Sequence, residues 1–225
     1  MLITIDTSTD VAGLAIASAE DVFAEFNWRC GQNHSVQLLP NLSFLLRQAG
    51  FTLSAAEGII VARGPGGYNG LRVGIATAKS LAFSLGIPVA GVSTLEAMAF
   101  EYSALGYPVC AVVNPGGGEI AAAMFETKDG LWLRTLPEQA ITVDDLCANV
   151  KVRTVFCGQI PSAVSAALAK TLGEKAVVLP GAEWRRTGAF IELGRRRFRD
   201  KDFDNPSSLQ PLYLRGPAIT QPKHK

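Results

Sequence analysis

Two short segments of the chain hold the residues best suited to chemistry. The first is Asp6-Thr7-Ser8, which follows an apolar stretch that begins at Leu2. A carboxylate at the end of a buried strand, followed by hydroxyls, can hold a hydrated Mg²⁺ and contact phosphate oxygens. The same residues also suit a hairpin turn in which Asp6 and Ser8 bond nearby backbone groups. The residue types alone leave both interpretations open.

The second segment is a glycine-rich run from Arg63 to Gly74. Its glycines, with Gly66 and Gly67 among them, allow the backbone to approach a ligand or a neighbouring strand closely. The run precedes a predicted helix, whose N-terminal N–H groups could bind a phosphate. It lacks both the Gly-Lys-Ser/Thr of a P-loop and the G-x-G-x-x-G of dinucleotide-binding proteins. A tight structural turn and an anion-binding site therefore both stay open.

Metal and nucleophilic chemistry have little support in the sequence. The chain has two histidines, and His34 is predicted to be an exposed residue at the start of a helix. There is no ligand cluster, no G-x-S-x-G motif and no H-E-x-x-H motif. Four cysteines form no C-x-x-C pair and are predicted to be buried free thiols: Cys30, Cys110, Cys147 and Cys157. The sequence predicts no metal site and no hydrolytic triad.

Composition and charge exclude several classes of protein. Of the 225 residues, 48% are hydrophobic and 18% are charged, which is enough for a substantial core. The net charge of +1 argues against an autonomous nucleic-acid-binding protein, and the basic cluster at 185–199 fits a solvated helix face. The start of the chain lacks a signal-peptide pattern, and Lys79 and Pro88 interrupt its most apolar stretch. We therefore predict a soluble, cytoplasmic protein.

Hydrophobic periodicity and turn residues predict alternating strands and helices. The predicted strands are 1–6, 11–17, 22–28, 58–62, 88–92, 109–113, 119–126, 131–136, 154–157 and 176–179. The predicted helices are 34–49, 71–85, 93–102, 162–172 and 187–199, and a further short helix begins at Thr142. Pro40 lies inside the first helix, where it predicts a kink or a restart.

The two halves of the chain resemble each other. An apolar strand ending in a polar residue, a short turn and a returning strand occur at 2–16 and again at 109–125. Any two hairpins could look alike in this way. The alternative is a duplicated α/β domain whose two lobes face each other across a cleft. Asn114 would then hold the place of Asp6 in the second lobe, where an amide cannot supply the charge of a metal ligand or general base.

The order of these segments resembles the TsaB/YeaZ family. The matching residues are Ile3-x-Ile5-Asp6-Thr7-Ser8-Thr9, Arg63-Gly-Pro-Gly-x-Tyr-x-Gly-x-Arg72-x-Gly74, Gly91-Val92-Ser93-Thr94-Leu95 and Pro211-x-Tyr213-Leu214-Arg215. The resemblance implies the actin-like ATPase (ASKHA) fold, which consists of two duplicated α/β lobes with mixed sheets flanked by helices. The implied lobes are 1–103, with partner-binding helices, and 104–215, followed by a flexible tail at 216–225.

The family resemblance implies a scaffold without catalytic residues of its own. Such proteins support the formation of N6-threonylcarbamoyladenosine at position 37 of tRNAs that read ANN codons. The transfer is made by their paralogue TsaD, and the ATPase TsaE resets the complex. The implied partners are a TsaD-like protein, a TsaE-like ATPase and tRNA reached only through the complex, with a homodimer when the chain is alone and no membrane contact.

The same resemblance bears on cofactors and metals. No cofactor is required, although a degenerate cleft could retain weak ATP or ADP binding at Asp6, Thr7, Ser8, Gly66 and Gly67. Thr94 and Met98 stand where TsaD-like proteins carry metal-binding histidines, and neither suits that ligation. Family members often carry an acid and an arginine where this chain has Asn114-Pro115-Gly116-Gly117-Gly118-Glu119, which weakens productive nucleotide binding.

Two predicted helices of the first lobe carry wide apolar stripes, which predict a protein interface. The predicted interface residues are Val36, Leu39, Leu42, Leu45, Leu46, Leu71, Ile75, Ala78 and Ala82. The same stripes would arise if both helices only covered the sheet of their own lobe. An ATP-dependent small-molecule kinase of this fold is the alternative function, and it would need acidic residues in both lobes. A peptidase is a further alternative, which the missing histidines disfavour.

Overall fold

A computed structural model of the chain describes residues 1–114, 119–179 and 187–214, which form two five-stranded sheets flanked by helices. The strands are β1 (Leu2–Asp6), β2 (Val11–Ala17), β3 (Val22–Arg29), β4 (Gly58–Gly64), β5 (Val89–Ser93), β6 (Val109–Val113), β7 (Ile120–Lys128), β8 (Leu131–Ile141), β9 (Thr154–Gly158) and β10 (Ala176–Val178). The helices are α1 (His34–Gln48), α2 (Tyr68–Leu85), α3 (Thr94–Phe100), α4 (Val143–Asn149), α5 (Ser162–Leu172) and α6 (Gly188–Arg199).

The two sheets have the same topology. The first has the strand order β3-β2-β1-β4-β5, and the second has the equivalent order β8-β7-β6-β9-β10. In each sheet the central strand is antiparallel to the hairpin strand that follows it and parallel to the next strand of the lobe. This confirms the predicted α/β fold of two duplicated lobes with mixed sheets.

The register of the first sheet places the two chemically interesting segments side by side. Leu2 of β1 pairs with Gly58 of β4, and Ile5 pairs with Val61. Because the two strands are parallel, their carboxyl ends lie at the same edge of the sheet. The turn after Asp6 and the glycine-rich run after Arg63 therefore meet there.

Several element boundaries differ from the prediction. Helix α2 begins at Tyr68 because Gly67, in an extended conformation, is already its N-cap. Strand β8 continues to Ile141, with register shifts in its pairing to β7. Helix α1 runs without interruption through Pro40, which lies on its exposed side. The predicted restart at this residue is therefore wrong, and the predicted kink stays a prediction.

Helices α3 and α6 cross between the lobes. Leu95 and Met98 of α3 lie in the core of the second sheet, which includes Val109 of β6. Phe190 of α6 packs against the first sheet, in a cluster with Ile60 of β4. The chain after α6 stays with the first sheet, where Leu209 is part of the core. The predicted lobe limits at 103 and 215 stay a prediction, and the proposed tail at 216–225 lies outside the described residues.

Thr142 begins α4 as the sequence predicts, since its hydroxyl accepts a hydrogen bond of 3.2 Å from the backbone N–H of Asp145. We expect Thr142→Ala to lower the free energy of unfolding by about 1 kcal/mol because it leaves that N–H without its cap. Thr142→Ser keeps the hydroxyl and should unfold at nearly the urea concentration of the unmodified chain. An equal loss in both variants would show that the cap is not the cause.

Candidate functional site

A cleft of about 590 Å³ separates the two lobes. The first lobe lines it with Thr7 and Thr9 of the β1–β2 turn, with residues around the start of α1, and with the first turn of α2. The second lobe lines it with Asn114 and with the segment Gln159–Pro161. The residues predicted to bind a nucleotide can be placed against this cleft.

Asp6 is part of a local turn and does not line the cleft. One of its carboxylate oxygens accepts hydrogen bonds from the backbone N–H of Ser8 at 2.9 Å and from the Ser8 hydroxyl at 2.6 Å. Asp6 is 3% exposed and Ser8 is fully buried. Between the two interpretations left open by the sequence, this geometry supports the hairpin turn. A carboxylate held in this way is poorly placed to bind a metal ion in the cleft.

The glycine-rich run packs directly on that turn. The N–H of Gly67 donates to the carbonyl oxygen of Ser8 at 2.8 Å. A Cβ atom on Gly66 would lie 2.1 Å from the same oxygen, and a Cβ on Gly70 would lie 2.1 Å from the carbonyl oxygen of Thr7. Backbone atoms cannot move aside as a flexible side chain can, so these positions require glycine. The run thus behaves as a tight structural turn.

Of the five predicted nucleotide-binding residues, only Thr7 and Gly67 line the cleft. The hydroxyl of Thr7 donates to the carbonyl oxygen of Gly70 at 2.8 Å, and so it helps hold the two turns together. Asp6, Ser8 and Gly66 lie behind this surface. Weak binding of ATP or ADP stays a prediction, with fewer of the predicted residues available to contact it.

Sequence reasoning missed the charged group that the cleft does contain. Asp10 forms an ion pair of 2.6 Å with Arg29 and accepts a hydrogen bond of 2.8 Å from the side-chain amide of Gln159. Because Gln159 belongs to the second lobe, this contact joins the two lobes across the cleft. No spacing in the sequence connects these three residues, since they meet only after both sheets have formed.

His34 also lines the cleft, and the prediction that it is exposed is wrong. It is 7% exposed, and its Nε2 atom lies 2.8 Å from the carbonyl oxygen of Thr9. Because a carbonyl oxygen only accepts hydrogen bonds, Nε2 must carry the proton. The sequence did contain a signal for this burial. His34 lies four residues before Leu38, which places both residues on the same, buried side of α1. Its hydrogen bond pins the start of α1 to the β1–β2 turn.

The cysteines are buried in the fold, and so are the two residues that stand where TsaD-like proteins carry metal-binding histidines. All four cysteines are free and buried, as predicted. Burial raises the pKa of the Cys110 and Cys157 thiols, which keeps them protonated and unreactive at neutral pH. Thr94 and Met98 are buried between the sheet and α3. Across the described ranges, no three His, Cys, Asp or Glu residues are grouped so that they could hold a metal ion.

Comparison with known proteins agrees with this architecture. A family model described as TsaD, tRNA N6-adenosine threonylcarbamoyltransferase, matches residues 29–176, which is more than half of the chain. The tRNA threonylcarbamoyladenosine biosynthesis protein TsaB of Bacillus subtilis is 29% identical over 218 residues, covering 95% of this chain and 93% of that protein. The chain belongs to the TsaB/YeaZ family.

Solved structures show that the TsaB/YeaZ fold extends over 95% of the chain. YeaZ from Pseudomonas aeruginosa superposes with a TM-score of 0.75 at 24% identity, over 95% of this chain and 99% of that one. A P. aeruginosa protein described as similar to peptidase YeaZ gives 0.81 at 23% identity, over the same shares. The word peptidase in that description raises the question of a catalytic histidine. His34 is the one histidine in the described ranges, and its Nε2 atom bonds the backbone carbonyl oxygen of Thr9 and not a nucleophilic side chain.

The protein interface predicted on α1 and α2 needs correction. Seven of its residues are buried in the first lobe: Leu42, Leu45, Leu46, Leu71, Ile75, Ala78 and Ala82. Both helices turn their apolar stripes onto the sheet of their own lobe, so these residues cannot contact a partner while the lobe is folded. This part of the prediction is wrong. Val36 and Leu39 are 67% and 52% exposed, and their role in an interface stays a prediction.

The exposed sides of α1 and α2 nevertheless present apolar side chains to water. We call this surface the α1–α2 outer face, and it comprises Val36, Leu39, Tyr68, Ala76 and Phe83. Phe83 is 85% exposed. Neither helix contains an acidic residue, and their basic residues are Arg47, Arg72 and Lys79. The two helices contact each other, so their exposed sides lie on the same part of the first lobe.

None of the described helices combines the length and the apolar character that crossing a bilayer requires.

Proposed function

We propose that this chain is the TsaB-type subunit required, with TsaD and TsaE, to form N6-threonylcarbamoyladenosine at position 37 of tRNAs that read ANN codons. The observation that carries the proposal is the match to Bacillus subtilis TsaB over 95% of this chain, because a match of that extent covers both lobes. The family model for the paralogue TsaD, which spans the junction between the lobes, supports the same assignment.

In this proposal the subunit is not catalytic on its own. The polar groups at the cleft support this, since Asp6 lies behind its surface, where Ser8 donates to it, and the second lobe contributes Asn114 and no carboxylate among the described lining residues. Among the described residues that line the cleft, Asp10 is the one carboxylate, and Arg29 and Gln159 already bind it. A kinase would need carboxylates from both lobes to hold Mg·ATP. No cofactor is required, and any ATP or ADP binding is weak.

The partner that we propose for the α1–α2 outer face is a TsaD-like protein. Large apolar side chains such as Phe83 and Val36 are costly to expose to water, and exposed apolar patches mark interaction sites. The near absence of charge on both helices also fits the core of a protein interface. When no partner is present, two copies of the chain would associate through this same face as a homodimer. It would reach the TsaE-like ATPase and tRNA through the complex, in the cytoplasm and away from membranes.

Reconstitution tests this function. Threonylcarbamoyl-adenylate, tRNA, a TsaD-like protein and a TsaE-like protein are combined with and without this chain, and modified adenosine is measured by mass spectrometry of the digested tRNA. We expect modification over repeated turnovers only when the chain is present. We also expect the isolated chain to hydrolyse ATP far below the ordinary enzyme rate of about 1–1000 s⁻¹.

Two results would contradict the proposal. Equal modification without the chain would show that it is not a required subunit. Ordinary ATP turnover by the isolated chain, lost in Asp6→Ala, would favour the kinase alternative. The Asp6→Ala variant must be shown to be folded by circular dichroism, because Asp6 holds the turn at Ser8.

A further inference from the structure

A second groove, of about 350 Å³, lies apart from the inter-lobe cleft, where the ends of β4 and β5, strand β8 and helix α6 meet. We call it the arginine groove because Arg63, Arg134, Arg196 and Arg197 all line it. It draws on both sheets, since β5 is the edge strand of the first and β8 the edge strand of the second. A molecule bound there would contact both lobes.

The carboxylates of the arginine groove form ion pairs with only one of its arginines, although the charge of Arg196 also acts on Glu96, where it partly offsets the rise in pKa that burial causes. Glu96 and Glu138 both contact Arg134, at 3.2 Å and 3.7 Å. Glu138 also accepts a hydrogen bond from the hydroxyl of Ser93. Burial raises the pKa of Glu96, which reduces the cost of protonating it when an anion approaches.

A second arginine is balanced by residues outside the arginine groove. Arg197 binds Asp202 at 2.8 Å and Asp204 at 2.7 Å, and it also donates to the carbonyl oxygen of Gly91 at 2.7 Å. Its role is therefore to tie α6 and the segment after it to β5. The positive charge that it carries is not available to a ligand.

Arg63 and Arg196 have no such direct contacts. Within residues 1–114, 119–179 and 187–214, neither side chain forms an ion pair or donates a hydrogen bond. Arg196 is held in place by the ring of Phe100, whose centroid lies 4.7 Å from the guanidinium carbon. The groove thus keeps two guanidinium groups, ten N–H donors in all, without an acceptor.

An uncharged donor of the arginine groove also lacks an acceptor. The indole Nε1 of Trp132 is buried and has no hydrogen-bond partner in the described part of the chain. An unsatisfied buried donor costs about 1–3 kcal/mol, so a buried indole N–H normally has a partner. Trp132 lines the same groove as the two guanidinium groups, so an oxygen of a ligand bound there is a candidate acceptor for this N–H.

We propose that the arginine groove binds the phosphate group of a small phosphorylated molecule. The fork of an arginine matches the oxygens of a phosphate in two parallel hydrogen bonds, and two such forks suit its double charge. The volume is at the lower end of the range for ligand pockets, which favours a compound no larger than a mononucleotide. This inference does not depend on the proposed function, since it rests on a different surface.

Trp132 supplies the reporter for the test. The chain is titrated with inorganic phosphate, with a nucleoside 5′-monophosphate and with a short single-stranded RNA at constant ionic strength, while tryptophan emission and heat are recorded. We expect saturable binding of the monophosphate, with an emission change that Trp132→Phe abolishes. The RNA arm separates a free phosphate ester from a nucleic-acid backbone.

Variants of the two free arginines locate the site. We expect Arg63→Gln and Arg196→Gln each to weaken monophosphate binding about tenfold or more, because each removes a charge-assisted contact. Glu96→Gln should tighten binding because it removes a like charge. Arg199→Gln is the matched control, since Arg199 is 74% exposed on the same helix and lies outside the arginine groove. Circular dichroism verifies folding, and Arg196→Gln, which changes an exposed residue, keeps the test valid if Arg63→Gln unfolds.

Three outcomes would overturn the proposal. The first is no saturable binding of phosphate or monophosphate at millimolar concentrations. The second is binding that Arg63→Gln and Arg196→Gln leave unchanged. The third is binding of the RNA alone, which would assign the arginine groove to a nucleic-acid backbone.

Discussion

A Val36→Glu variant is expected to fold normally and to bind its TsaD-like partner at least about thirtyfold more weakly, since charging an interface hot spot costs about 2 kcal/mol or more. Val36 is 67% exposed, so the new carboxylate is solvated in the free chain. In the complex the new carboxylate would lose that hydration without a cationic group positioned to pair with it. Affinity is measured by isothermal titration calorimetry, and self-association by sedimentation.

The chain provides a matched control for this experiment. Val152 is 56% exposed and lies in the second lobe, away from α1 and α2, so Val152→Glu makes the same chemical change elsewhere. It should bind the partner as the unmodified chain does. If Val36→Glu and Leu39→Glu both fold and bind with unchanged affinity, the α1–α2 outer face is not the interface. Glutamate at Leu42 is unsuitable as a test because it would place a charge in the core.

Gly66→Ala is expected to lower the free energy of unfolding by about 3 kcal/mol, near the upper end for overpacking, because its Cβ would meet a backbone carbonyl. The added atom would lie 2.1 Å from the oxygen of Ser8, which itself accepts the hydrogen bond of Gly67. Relief of the contact would move the glycine-rich run away from the β1–β2 turn. For a chain of this size the melting temperature should fall by roughly 6–12 °C.

Gly67 is the matched control because it is the neighbouring glycine in the same run. A Cβ there would lie 3.8 Å from the oxygen of Ser8, which is an ordinary van der Waals distance. Its φ of −63° suits any residue, so Gly67→Ala should be neutral or slightly stabilising. Thermal unfolding followed by circular dichroism compares the two. Equal melting temperatures for both variants would mean that the close packing at Gly66 does not limit stability.

Much of the fold follows from local sequence. Strand β6, for example, runs Val109–Val113 and helix α5 runs Ser162–Leu172, as periodicity predicts. The caps at Ser93 and Thr142 bind the expected backbone N–H groups, because a cap depends only on residues three positions apart. The repeated hairpin predicted the duplicated lobes.

The sites were less predictable because they depend on which side of an element faces the core. The apolar stripe of α1 is real, but the sequence cannot tell whether a sheet or a partner covers it. It is the sheet that covers Leu42 and Leu45. The link from Asp10 to Gln159, which are 149 positions apart, has no local signal at all. Long-range polar contacts of this kind arise from the packing of the lobes.

The crossing of α3 and α6 between the lobes bears on how the chain is made. The cluster that covers one face of the first sheet joins Leu2 to Phe190 and Leu193. During synthesis from the N-terminus, strand β1 leaves the ribosome long before α6 does, and that face stays bare in the meantime. The first lobe therefore cannot be completed on the ribosome until nearly the whole chain has been translated. A nascent chain stopped after residue 103 should consequently expose apolar surface and attract chaperones, whereas one released after α6 should not.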